Sequence, residues 1–192
     1  YQHTFQRSIE HPESFWAEQA KRIPWYTPPK TILSYDEQSA GTAHARWFSD
    51  GEMNLSYAAL DYHVENGRGD QAAIFWDSPA AKAKQTISYR EMRDKVAHFA
   101  GALAQLGVTK GDRVVIYMPM IPEAMVAMYA CARLGAIHSV VFGGFAPHEL
   151  AARIEDAEPK VVVAASCGIE LGKVLPYKPM VDQAVELSAH KP

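Results

Sequence analysis

The chain has 192 residues, the length of one domain with an extension. Lys and Arg number 19 against 22 Asp and Glu, a formal net charge of −3, which excludes the basic footprint of a nucleic-acid binder. Hydrophobic residues at 48% and charged residues at 21% exclude a disordered chain.

The two cysteines, Cys131 and Cys167, cannot build a disulfide framework and lack zinc-ligand spacing. A reducing, cytoplasmic compartment is therefore expected. The longest apolar stretch, Val114 to Ala132, is interrupted by Pro119, Pro122 and Glu123. A strand, a turn and a helix explain it better than a membrane span, so no membrane partner is expected. The chain starts at Tyr1 without Met and shows no signal peptide. Residues 185–192 carry no stop signal, and a truncated chain is expected.

The first third is rich in aromatics and proline and poor in periodicity. Phe5, Phe15, Trp16, Trp25, Tyr26, Tyr35, Trp47 and Phe48 are scattered among turn residues, as in a wrap packed on a larger body. A helix is expected over Pro12–Ala20, with Pro12 in its first turn and Glu13 at its positive end. Pro24, Pro28 and Pro29 make the next stretch extended. A second helix runs from about Leu55 to Val64 and stops near Asn66-Gly67.

From Asp70 the pattern changes. Ala72 to Trp76 reads as a strand and Gln85 to Ser88 as its hairpin partner. Ser88 and Glu91 have capping-box spacing. The helix they open carries Met92, Val96, Phe99, Leu103 and Leu106 on one stripe and ends at Gly107. A strand over Arg113–Met118, a helix over Pro122–Leu134 closed by Gly135, and a strand over Ala136–Phe142 follow. Then come a helix over Pro147–Ala157 and a strand over Val161–Ala165. The apolar runs at Val114, Val140 and Val161 read as central strands covered on both faces. This alternation is an α/β fold with βαβ units and a mostly parallel sheet.

Several chemistries are excluded by their missing motifs. There is no Gly-x-Gly-x-x-Gly, no Gly-x-x-x-x-Gly-Lys-Ser/Thr, no His-Glu-x-x-His and no Gly-x-Ser-x-Gly. Glu155-Asp156 reads as a solvated pair, since adjacent acids on a helix do not face one another. Cys131 reads as a small core residue and His138 as a structural histidine.

Two features remain. Phe142-Gly143-Gly144-Phe145 stands at the C-terminal end of a strand, where open α/β sheets bind ligands. Either the joint simply needs glycine, or a ligand approaches the backbone there and Phe142 offers a stacking face. Gly168-Ile169-Glu170-Leu171-Gly172-Lys173 lies just beyond the last strand. Lys173 is either a solvated lysine or a point charge for a phosphate.

Three stretches carry a family resemblance: residues 54–63, Lys110 to Glu123, and Gly135 to Phe145, the last containing Gly-Ala-Ile-His-Ser-Val-Val-Phe-Gly-Gly-Phe. The chain resembles the short-chain AMP-forming acyl-CoA synthetases over nearly its whole length. The resemblance implies an irregular helical N-terminal extension over 1–66. Over 67–192 it implies the first part of an adenylate-forming domain. It implies that the longer enzyme joins a short-chain carboxylate to coenzyme A through an acyl-adenylate, with ATP and magnesium (Mg2+). The family's phosphate loop, adenine motif, hinge Asp and catalytic Lys are absent from this sequence. No catalytic residue is named, and the chain alone is expected to be inactive.

The resemblance also implies part of a CoA site. Phe142, Gly143 and Gly144 would border the adenine, and Glu170, Leu171, Gly172 and Lys173 would run beside the phosphates. Acetate-using relatives carry Arg-x-Gly-Arg where this chain has Glu170-Leu171-Gly172-Lys173, so only Lys173 keeps a positive charge. Glu170 at the first place looks like the propionate-using branch, so propionate is favoured and acetate comes next. A cytoplasmic protein is expected, or one of the mitochondrial matrix if the source is eukaryotic. The competing reading is a free-standing, non-catalytic module that binds CoA, a nucleotide or a protein partner. An open reading frame continuing well beyond Pro192 favours the synthetase, and a stop there favours the module.

Overall fold

The computed structural model describes residues 1–36, 44–170 and 172–192. Backbone contacts divide the chain into two units, Tyr1–Asn54 and Leu55–Pro192.

In the first unit, helices α1 (Gln2–Glu10) and α2 (Pro12–Ala20) precede a hairpin of β1 (Leu33–Asp36) and β2 (His44–Trp47). Helix α2 has the expected bounds, but α1 and the hairpin replace irregular chain. Few of the unit's side chains are buried, and its aromatic rings pack on one another. Trp16 meets Phe15 at 5.1 Å and Trp47 at 5.8 Å, both edge-on. Such pairs add to the area they bury by about 1 kcal/mol each. The Trp25 indole N–H donates to the Ala20 carbonyl at 2.8 Å and so turns the chain after α2.

The second unit opens with a helical segment whose turns widen to π-type over Tyr57–Asp61 and Val64–Arg68. Asn66 and Gly67 kink it where the sequence signals a stop. Strands β3 (Ala72–Ser78) and β4 (Ala83–Ser88) form an antiparallel pair. Ser88 ends β4 and caps α3 (Tyr89–Gln105). Its hydroxyl accepts the Glu91 N–H at 3.2 Å, and the Glu91 carboxylate accepts the Ser88 N–H at 2.8 Å. Two otherwise unpaired N–H groups are thereby satisfied. Leu106, expected on the buried stripe, lies past the last helical turn and is exposed.

Next come β5 (Arg113–Met118), α4 (Pro122–Leu134), β6 (Ile137–Phe142), α5 (Pro147–Ala157) and β7 (Val161–Ala164). The three strands form a parallel sheet in the order β6-β5-β7. Strand β5 is buried on both faces. Val114 and Ile116 enter a core with α3 and α4, while Val115 and Tyr117 enter a second core with α5 and α6 (Tyr177–Leu187). Each aliphatic side chain so buried contributes about 1.5–3 kcal/mol.

Only β5 is central among the described strands. Val140 on β6 is 51% exposed, and β7 is partly buried, which corrects the expectation of three central strands. Arg133 on α4 clamps Asp61 with two bonds of 2.7 and 2.9 Å, fastening the first helical segment to the layer above the sheet. Between β7 and α6 lies an antiparallel hairpin, β8 (Cys167–Glu170) and β9 (Lys173–Pro176), where the sequence suggested only a segment beyond the last strand.

Candidate functional site

Strands β5 and β6 end together, with Met118 paired to Phe142. The chain leaves β6 through a tight turn closed by the Phe145 N–H donating to the Phe142 carbonyl at 3.3 Å. Gly144 lies in the left-handed region at φ +98, which a side chain disfavours. Gly143 has a different reason to be glycine. A Cβ there would stand 2.8 Å from both the Met118 carbonyl oxygen and the Tyr177 hydroxyl. Both glycines thus have a backbone reason. Phe142 is 61% exposed, with its ring 5.6 Å from that of Phe145.

The β8–β9 hairpin comes to the same end of the sheet. Ile169 joins Phe142 and Gly143 in lining an apolar cleft of about 280 Å3, together with Met118, Met120 and Tyr177. Among the described residues, Gly144, Gly172 and Lys173 are not in that lining. Glu170 and Lys173 are register partners across the two-residue connection, and Lys173 is exposed. Leu171 lies outside the described residues. The structure therefore brings the two expected stretches to one corner through Phe142, Gly143 and Ile169.

Two tyrosines that the sequence did not single out hold this corner. Tyr117 is fully buried on β5, and its O–H donates to the Phe145 carbonyl at 2.8 Å. The same oxygen accepts the Gly144 N–H at 3.1 Å. Tyr177, also buried, packs its ring 4.9 Å from that of Tyr117 and fits its hydroxyl against Gly143 and Gly168. A signal existed: a tyrosine inside an aliphatic strand needs a partner for its hydroxyl.

Cys131, His138 and Glu155 lie outside the lining of the apolar cleft. Cys131 is buried on α4, and burial pushes its thiol up to about 11. Burial also lowers His138 below its ordinary value. The Glu155-Asp156 pair is not simply solvated. The Glu155 carboxylate accepts the Ala189 N–H, and the Ser188 hydroxyl at 2.9 Å, which tethers the end of α6 to α5. Those donors hold Glu155 below the ordinary carboxylate value.

A second cleft, of about 380 Å3, lies between α3 and α4 over Phe99, Ala102 and Val126, and Phe99 is the one lining residue the helix pattern had placed on a buried stripe. Among the described residues, no group of three or more His, Cys, Asp or Glu side chains could hold a metal. They offer no carboxylate set for a magnesium ion. No helix among them is long and apolar enough to cross a membrane.

A parallel sheet with a glycine turn and an apolar cleft at its C-terminal edge is the arrangement in which open α/β sheets bind ligands. Residues 39–191 match the family described as AMP-binding enzyme, and residues 1–59 match the acetyl-coenzyme A synthetase N-terminus. The chain belongs to the AMP-binding enzyme family. It is 50% identical to acyl-CoA synthetase short-chain family member 3, mitochondrial, of Bos taurus, over 100% of this chain and 27% of that protein. It is 47% identical to acetyl-coenzyme A synthetase of Yersinia pestis (strain Pestoides F), over 97% of this chain and 28% of that protein. The fold matches acetoacetyl-CoA synthetase from Streptomyces lividans with a TM-score of 0.84 at 24% identity, over 97% of this chain and 28% of that one. The chain thus spans under a third of the length of these relatives.

Proposed function

We propose that the chain is the N-terminal part of an ATP-dependent, AMP-forming acyl-CoA synthetase for short-chain carboxylates, with propionate favoured over acetate. Residues 1–66 serve as the N-terminal extension and 67–192 open the adenylate-forming domain. The chemistry runs in two steps. A carboxylate oxygen attacks the α-phosphorus of ATP and expels pyrophosphate. The CoA sulfur then attacks the acyl carbon, loses its proton and expels AMP. Adenylation supplies a leaving group that a carboxylate lacks.

In this reading the chain's own contribution is to CoA. Phe142 borders the adenine with an exposed ring, and Gly143 and Gly144 let the ligand approach the backbone. The segment Glu170 to Lys173 runs beside the phosphates, where Lys173 supplies the positive charge and Glu170 opposes it. The observation that carries the reading is the exposure of Phe142 at the strand end, in a cleft it shares with the β8–β9 hairpin. The bovine relative is named as mitochondrial, which supports a mitochondrial location as the alternative to the cytoplasm.

The test uses the full-length protein that carries this chain. Carboxylate-dependent exchange of pyrophosphate into ATP is measured with acetate, propionate and butyrate, followed by acyl-CoA formation. Exchange with propionate at the highest kcat/KM is the expected result. Absence of exchange with every short carboxylate would falsify the reading.

A further inference from the structure

Tyr117 places a hydroxyl inside a strand whose neighbours Val114, Val115 and Ile116 are aliphatic and fully buried. A hydroxyl costs free energy to bury unless it is bonded, and a Phe or Leu would fill the same core without that cost. The Tyr117 hydroxyl is bonded on both sides, and both partners belong to one turn. It donates to the Phe145 carbonyl at 2.8 Å and accepts the Gly144 N–H at 3.1 Å, with Met180 Sδ 3.9 Å away. Neither backbone group is used by the turn's own bond, which runs from the Phe145 N–H to the Phe142 carbonyl.

The ring of Tyr177, 4.9 Å from that of Tyr117, carries the arrangement on to the hairpin. Its hydroxyl fits against Gly143 of the turn and Gly168 of β8. The turn and the hairpin are therefore referenced to the same pair of buried rings. Phe142 opens the turn, so the angle of its exposed face follows from the backbone that Tyr117 holds.

We propose that Tyr117 is a positioning residue for coenzyme A. Its hydroxyl fixes the turn over 142–145 so that the Phe142 face is presented to the adenine before the ligand arrives. The inference rests on the CoA site proposed above. Its effect belongs to the thioester-forming step, because adenylation proceeds without CoA. Preorganisation of this kind acts by lowering the ordering cost of binding.

The experiment compares Tyr117→Phe and Phe142→Ala with the parent full-length enzyme. Tyr117→Phe keeps the ring and the core and removes only the hydroxyl. The expected result is a rise in KM for CoA of about three- to tenfold in both variants. Pyrophosphate exchange by Tyr117→Phe should stay near the parent value, with a thermal midpoint lower by about a few degrees because two backbone groups lose their partner. An unchanged KM for CoA in Tyr117→Phe, beside a raised one in Phe142→Ala, overturns the inference and leaves the CoA site standing. Unchanged KM values in both variants overturn both. A raised KM in Tyr117→Phe alone overturns the inference, since the hydroxyl would then act elsewhere. Equal losses in both half-reactions also overturn it, by marking a general structural role.

Discussion

The hydroxyl of Tyr177 occupies the space that a side chain on residue 143 would need. A Cβ at Gly143 would lie 2.8 Å from that hydroxyl and 2.8 Å from the Met118 carbonyl oxygen. One obstacle is backbone and the other belongs to a buried ring, so neither yields easily. Gly143→Ala should therefore destabilise the chain by about 1–3 kcal/mol in urea unfolding. Gly101→Ala is the control. Gly101 sits on α3, where a Cβ would meet no atom within 4 Å, and alanine there should be neutral or stabilising by up to about 1 kcal/mol. Equal effects at the two positions would show that crowding by Tyr177 is not what excludes a side chain.

The two cysteines should separate by reactivity. Burial pushes the Cys131 thiol up to about 11 from its ordinary 9.0, whereas Cys167 is only half-buried. The thiolate is the reacting form, so at pH 8 the shift alone lowers the reactive fraction of Cys131 about a hundredfold. One equivalent of a thiol reagent should react quickly and map to Cys167. The second should react only in denaturant. Two fast phases of equal rate would contradict the burial of Cys131.

The sequence was most legible where a local signal and the tertiary contact agree. Pro122 and Gly135 bound α4, and both act within a few residues of themselves. Ser88 and Glu91 announced a capping box that forms with both bonds. The corner that presents Phe142 was only half legible. Its glycines were visible, but their reasons lie at Met118 and at Tyr177, which is 34 positions after Gly143. Tyr117 was covered only by the bounds of the strand Arg113–Met118, because its partners at Gly144 and Phe145 meet it only once β5 and β6 are parallel. The β8–β9 hairpin was missed: the stretch that holds Gly168 and Gly172 read only as a segment beyond the last strand. One of them is the contact point for a buried ring, and the other lies in the connection between the strands.

Glu155 makes the end of α6 sensitive to pH. The Ala189 N–H first, then the Ser188 hydroxyl, hold its carboxyl below the ordinary 4.5, with smaller help from His190. A folded value below the unfolded one stabilises the tether fully above pH 4.5 and loses it as pH falls through the folded value. Hydrogen exchange at Ala189, relative to its intrinsic rate, should therefore stay slow at neutral pH and quicken below the ordinary carboxylate range. Glu155→Gln should raise that exchange about three- to tenfold at pH 7 and flatten its acid dependence. An acid dependence that survives the substitution would assign the tether to another group.

Lys173 carries the positive charge of the hairpin's end in the proposed CoA site. Its position is exposed, one residue beyond Gly172, so any contact with a phosphate is made in water and screened by salt. The lost contact is therefore modest. Lys173→Ala in the full-length enzyme should raise KM for CoA about three- to tenfold, with carboxylate-dependent pyrophosphate exchange unchanged, because that half-reaction needs no CoA. Lys173→Arg should keep most of the activity, since a guanidinium offers the same charge and more donors. Glu170→Arg should lower KM for CoA or leave it alone, because it removes a negative charge beside the phosphates. Added salt should raise the parent KM and do so less in Lys173→Ala, which separates a charge contact from a folding defect. An unchanged KM in Lys173→Ala would make Lys173 an ordinary solvated lysine. A parallel fall in both half-reactions would assign it to the integrity of the hairpin instead.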